Sequence, residues 1–344
     1  MQALLKEFLV LQKAPVFFSM RYTKFLALIG IALFLYILFS IGPIAVVESL
    51  VKLDLFLFAF VVMLLPPILL LKGFKQQILV NCLHKKISLA ESTKIWLIGF
   101  FFATITPAKA GDFLRALYLR NSVGLNFGAG LVVTAVERIF DLLFLFLAAL
   151  LGLIVFSLHY GIDKSIVFVL SFFLIIFLIG LFVLTRKKWV AFLLKPVFNF
   201  LLPEKFREKS RVGFDDFYGA MQAMVKRKKL IAAVAALTIG SWLLIIVQFF
   251  LIAASLHLPV SFQFILSVMP AILLIEVLPI SFAGIGTRDA TAIFFLSFAA
   301  VSAAESVSFS LTILAMNLLT ALIGVIFLSS SKAISTDKQI NNFP

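Results

Sequence analysis

Along the chain, long apolar runs alternate with short polar segments. A hydrocarbon layer of about 30 Å needs about 20 helical residues to cross it. Six runs approach or exceed that length, at residues 24–41, 53–71, 131–158, 165–184, 230–255 and 309–328. Lys13, Arg21 and Lys24 precede the first run, as basic residues precede a signal peptide's apolar region. The run is long for such a region, and Pro43 follows the small residues Ser40 and Gly42, so it reads as a retained span. In the second run, Pro66 and Pro67 are expected to kink the cytoplasmic end.

Two stretches fail as simple spans. Residues 93–122 are apolar only to Ile105 and then read TPAKAGDFLRALYLR. Residues 264–300 break at LPISFAGIGTRDA. Each is an apolar arm, a break with Pro, Gly and charge, and a second helical arm. Irregular backbone at membrane depth survives only where protein or a watery cavity covers it, so both read as re-entrant or broken-helix hairpins. Pro107 and Pro279 mark the breaks. The predicted fold is an all-α polytopic membrane protein, one integral domain over residues 1–344, with six spans and two hairpins. The order span, span, hairpin, span occurs in residues 24–158 and again in 165–328. Two such units of opposite orientation would form an inverted repeat with a site at the midplane. The alternative is that the hairpins share Pro and Gly because breaks in membrane helices generally use them.

Composition supports the membrane class. Hydrophobic residues make up 63% of the chain and charged residues 13%, against roughly 25% charged in ordinary soluble domains. That leaves too little polar surface for a soluble fold and too many apolar residues for a disordered one. The net charge of +14 first suggests nucleic acid, but position explains it otherwise. Of the 30 basic residues, 26 fall in segments assigned to one face; Lys52 and Lys164 lie on the other, and Arg138 and Arg288 are embedded. Positive charge marks the cytoplasmic side, so both termini are expected there, and no nucleic-acid partner is needed. Residues 185–229 form a basic loop in which Trp189, Phe192, Phe198 and Phe200 suit an interfacial helix. Cys82 is the only cysteine, and His84, His159 and His257 lack ligand spacing, so neither metal nor cofactor is expected. No nucleophile-elbow, zinc-protease or P-loop motif occurs.

Charge within hydrocarbon is costly, so embedded charges tend to pair or to line a polar path. Three clusters qualify. In Lys109, Asp112 and Arg115, the last two share a helix face if the second arm opens at Gly111, which would also offer backbone N–H groups to an anion. Glu137, Arg138 and Asp141 open a long apolar helix, the two acids on one face. Glu276 interrupts an apolar arm and is expected to be neutral or to pair with Arg288 across the break at Gly284 and Gly286, beside Asp289. Each cluster also has a structural reading, as a boundary ion pair, a helix-dipole partner or an internal brace. Asn317, in the middle of the last run, reads as an interhelical hydrogen-bonding residue.

The runs TPAKAGDFLRALYLR, ERIFDLL and LPISFAGIGTRDA, in that order, resemble the flippase-like integral membrane family, also called the lysylphosphatidylglycerol synthase transmembrane region family. The resemblance implies lipid handling in a prokaryotic cytoplasmic membrane. The best-known members of that family flip an aminoacylated phospholipid and carry a fused transferase domain. Only a short tail follows Leu328 here, so no such domain and no lysyl transfer are expected. Asp112 and Asp289 stand where the family commonly has Glu. The expected function is translocation of a lipid or lipid-linked headgroup, with membrane lipids as partners and a separate lipid-modifying enzyme as a candidate supplier. Arg115 and Arg288 would hold phosphate, the acids would pair with them or with a cationic headgroup, and protonation of Glu276 could couple the cycle. An intramembrane enzyme acting on a headgroup and a small-solute transporter are the alternatives.

Overall fold

The computed structural model describes residues 20–161, 163, 165–189, 204–277, 281 and 283–330. The described residues are helical with turns and contain no strand. The first span is bent. Helix α1 (Met20–Ile41) meets α2 (Pro43–Val51) at Gly42, and the pair turns through 83°. Gly42 has φ +94°, a left-handed value that glycine adopts without a Cβ penalty, and Pro43 then opens the next helix. Helices α3 (Leu55–Met63) and α4 (Leu65–Cys82) form one apolar span of 28 residues. Pro66 and Pro67 therefore lie in the first turn of α4, where their missing N–H groups cost least, and not at the span's far end. The helix continues beyond the predicted limit at residue 71 and carries Lys72 and Lys75 within it.

The first predicted hairpin consists of α5 (Leu89–Thr104), a 3-10 segment (Pro107–Leu114) and α6 (Arg115–Val123). Ser88 caps α5 by accepting from the Glu91 N–H. Then come the spans α7 (Phe127–Tyr160) and α8 (Ser165–Thr185), the amphipathic α9 (Glu204–Val225) and the span α10 (Lys228–Ser255). The second hairpin is α11 (Phe262–Val277) and α12 (Thr287–Ser297), and α13 (Ala303–Ser330) closes the chain. Pro279, Phe192, Phe198 and Phe200 lie outside the described residues. Trp189 is exposed. Tyr218, buried on α9, donates from its hydroxyl to the Leu184 carbonyl at 3.2 Å, and Ala220 and Met224 join the core beneath α7. Burial raises the Tyr218 hydroxyl above the usual phenol range. The outer faces of the spans remain apolar: Phe168, Phe172, Ile175 and Ile179 of α8 are all exposed, as a lipid-facing helix requires.

Several helix contacts recur when the two halves are exchanged. The first arm of each hairpin packs on the last span of the other half, α5 on α13 and α11 on α7. The second arm packs on the last span of its own half, α6 on α7 and α12 on α13. The second spans, α4 and α10, face each other. The cross-half contacts even share a device. A Cβ on Gly152 of α7 would collide with the Ser267 carbonyl of α11, and one on Gly324 of α13 with the Leu97 carbonyl of α5. Small residues let membrane helices approach backbone to backbone. These recurring contacts relate the two segments 24–158 and 165–328 that share the order span, span, hairpin, span.

Candidate functional site

The two hairpin breaks meet, with Lys109 of the first beside Glu276 of the second. Around the first break lies a desolvated charge cluster. Arg115, at the start of α6, donates from Nη1 to Glu137 Oε2 of α7 at 2.7 Å and to Gln76 Oε1 of α4 at 3.1 Å. Its Nε lies 3.3 Å from Asp112 Oδ1, so the pair three residues apart does form, within a turn that is 3-10 before Arg115 and α-helical after it. Gly99 on α5 leaves the space that the Arg115 side chain fills. Trp96 Nε1 donates to Glu137 Oε1 at 2.8 Å. One helical turn further on, Asp141 accepts from Lys75 at 2.8 Å, Lys72 at 3.1 Å and Trp242 Nε1 at 2.9 Å. Lys75 also reaches Thr238 of α10 at 3.3 Å, and Lys72 lies over the Trp242 ring. Arg138 pairs with Asp112 and stands 3.9 Å from Asp141.

Four cations thus meet three carboxylates. All but Arg138 are almost wholly buried; its side chain is 26% exposed. Removing one partner from such a buried pair costs about 3–5 kcal/mol, because the other is left charged and desolvated. Lys72, Lys75, Gln76, Trp96, Thr238 and Trp242 escaped the sequence reading. Read linearly, a charge ends an apolar run, so Lys72 and Lys75 fall beyond the second run and among the basic residues of one face. The available signal was the spacing of Lys72, Lys75 and Gln76, which puts all three on one helical face.

Gly111 requires a correction. The second arm does not open there; α6 begins at Arg115, and the Gly111 N–H is donated to Thr106 Oγ1 at 2.7 Å. A Cβ on Gly111 would strike the Phe102 carbonyl, so this glycine allows the 3-10 segment to lie against α5 and offers no amide to an anion. Pro107 opens the segment.

The second break holds a smaller cluster. Glu276 on α11 accepts from Arg288 Nη1 at 3.3 Å through Oε2, and its Oε1 lies 3.2 Å from Lys109 Nζ. Glu276 is therefore paired twice, once across its own break and once with the other hairpin. Arg288 Nε donates to Ser310 Oγ of α13 at 2.8 Å. Asp289 is buried but turns away from the cations; its Oδ2 accepts the Gly286 N–H at 2.7 Å and caps α12. Gly284 and Gly286 have φ +76° and +83°. A Cβ at Gly284 would lie 2.6 Å from Glu276 Cγ, and one at Gly286 would strike the Gly30 carbonyl of α1. Two non-glycine residues at the hairpin tips, Lys109 (φ 55°) and Ala283 (φ 49°), share the left-handed conformation at a cost of about 1–2 kcal/mol each.

Between the tips lies a narrow cleft of about 20 Å³, room for one water, lined by Phe100, Thr104, Thr106, Lys109, Glu276 and Ser281. Asn317 also lines it. Of the predicted site residues, Lys109 and Glu276 border the cleft, Asp112, Arg115, Glu137, Arg138 and Asp141 form the first cluster, and Arg288 joins the second. Arg115 and Arg288 are at most 1% exposed, each held by internal acceptors, so what the surroundings meet is Lys109 and Arg138.

The family model described as the lysylphosphatidylglycerol synthase TM region matches residues 25–324. No curated protein matches the chain, and no solved structure matches it.

Proposed function

The chain belongs to the lysylphosphatidylglycerol synthase TM region family, and on that premise we propose that it is a translocase for lipids or lipid-linked headgroups. Membership links it to membrane lipid metabolism or transport. The finer reading is carried by one observation: two broken-helix tips, one from each half, meet through Lys109 and Glu276 over a polar cleft amid buried charge. Polar groups at this depth are expensive and are retained where a polar cargo passes. The cleft is far smaller than a headgroup, so passage requires the halves to separate, breaking the Lys109–Glu276 contact while each Arg stays tied to its own half. The headgroup crosses between the tips and the acyl chains remain in lipid.

The proposed setting is a prokaryotic cytoplasmic membrane with both termini in the cytoplasm. The protein acts as a transporter and not as an enzyme, and a separate enzyme can supply the modified lipid. The ion pairs of Glu276 bear on coupling, since protonating it would release Lys109 and Arg288 together. The test is leaflet exchange of labelled phospholipids in vesicles containing the purified protein. Exchange above that of empty vesicles is expected; none with any of several headgroups would reject the reading.

A further inference from the structure

The two clusters do not balance. Four cations meet three carboxylates in the first; in the second, Arg288 and Lys109 both pair with Glu276, and the buried capping acid Asp289 pairs with neither, so counting it the two clusters hold six cations against five carboxylates, one excess positive charge. The excess is also placed unevenly. Every carboxylate is at most 5% exposed, whereas Arg138 is 26% and Lys109 29% exposed. The acids are internal and the rim is cationic. Both rim cations attach to the 3-10 segment Pro107–Leu114: Lys109 belongs to it, and Arg138 is bound to its Asp112. Two buried guanidinium donors, Arg138 Nε and Arg115 Nη2, and three buried carboxylate oxygens, both of Asp112 and Oδ1 of Asp289, have no hydrogen-bond partner, although buried polar groups ordinarily have one. Ile105 and Phe113, beside Lys109 in sequence, are 39% and 40% exposed, so an apolar flank accompanies the cationic rim.

Resting on the translocase reading, we propose that the cargo headgroup is a phosphodiester bearing a single negative charge, received by Lys109 and Arg138. Phosphate oxygens are natural acceptors for the partly exposed Lys109 ammonium and Arg138 guanidinium. One negative charge neutralises the site, whereas a zwitterion leaves the excess in place and a cationic headgroup adds to it. The anion competes with Glu276 for Lys109 and with Asp112 for Arg138, so its arrival loosens the contact between the tips. The exposed Ile105 and Phe113 favour a lipid over a free anion, because acyl chains would cover them.

The experiment uses the full chain in vesicles containing trace acyl-labelled lipids of three kinds: phosphatidylglycerol (anionic), phosphatidylethanolamine (zwitterionic) and a lysyl ester of phosphatidylglycerol (cationic). A soluble glycerophosphodiester without acyl chains is the fourth arm. The anionic lipid should exchange about tenfold faster than the other two, as one charged hydrogen bond gained or lost implies. Arg138→Gln and Lys109→Gln should each remove that preference, and Arg138→Lys should restore part of it. Equal or faster exchange of the zwitterionic or cationic lipid overturns the charge assignment and leaves transport standing. A preference that survives both Gln variants overturns the rim assignment. Uptake of the soluble diester without lipid exchange overturns the lipid cargo, and exchange of no lipid overturns the translocase reading itself. The wild-type preference decides the charge question even if a variant fails to fold.

Discussion

The two hairpins follow one plan with different chemistry. In each, an arginine at the start of the second arm reaches the last span of its own half. Arg115 finds a carboxylate there, Glu137, and the pair is locked by Trp96, Gln76 and the Lys72–Lys75–Asp141 group beside it. Arg288 finds a hydroxyl, Ser310, and meets its carboxylate on the other arm of the same hairpin. The first hairpin is thus pinned to its own half by fully desolvated ion pairs. The second is tied to its own last span by a neutral acceptor, and its acid reaches over to Lys109 of the first. In the proposed translocation cycle, these unequal ties would make the first hairpin the frame and the second the moving part.

The sharpest way to break that comparison is to remove the two acceptors in turn. Glu137→Ala strands Arg115 and Trp96 in a water-free interior and should cost about 3–5 kcal/mol. Its thermal midpoint in detergent should fall by many degrees, or no folded protein should be recovered. Ser310→Ala deprives Arg288 of one neutral partner but leaves Glu276 in place, so the loss should be smaller, about 1.5–3 kcal/mol. Equal losses at the two positions would remove the distinction between frame and moving part. The symmetric features should behave otherwise. Gly152→Ala and Gly324→Ala each force a methyl against a carbonyl of the opposite half, and overpacking of this kind costs about 1–3 kcal/mol. The two melting shifts should agree with each other. A large difference between them would show that the exchange symmetry of the contacts is not an energetic one.

The symmetric part of the molecule is what its sequence discloses most readily. Apolar runs and Pro/Gly breaks are local signals, so the spans and hairpins can be read from adjacent residues. So can Asp112 with Arg115, since three-residue spacing is itself a contact. The asymmetric part depends on distant partners. Lys75 and Asp141 are 66 residues apart, and Arg115 and Glu137 are 22 apart on different helices. Nothing near Lys72 marks it as an interior residue except its face on a helix that continues to Cys82, well past the apolar run. Gly111 is a second case. Its role is set by the Phe102 carbonyl packed against it, which is a tertiary fact; locally it looks like a helix start. Asp289, by contrast, stands beside Arg288 in the sequence as a ligand would, and serves as a cap.

The smallest expected change in stability lies where the halves touch. Lys109 contributes one partly exposed ion pair, worth about 1 kcal/mol or less, and holds a left-handed backbone that costs a similar amount. Lys109→Met removes the first and retains the second, so a small destabilisation is expected. Lys109→Gly removes both and should melt near the wild-type temperature, about 1 kcal/mol above the Met variant. Both variants lose the rim cation and the tie between the tips, so both should lose exchange of the anionic lipid to a similar extent. If Lys109 were only a brace, exchange would follow stability and the Gly variant would keep its activity. Melting curves and exchange rates measured on the same two proteins separate a residue that holds the halves together from one that meets the cargo between them.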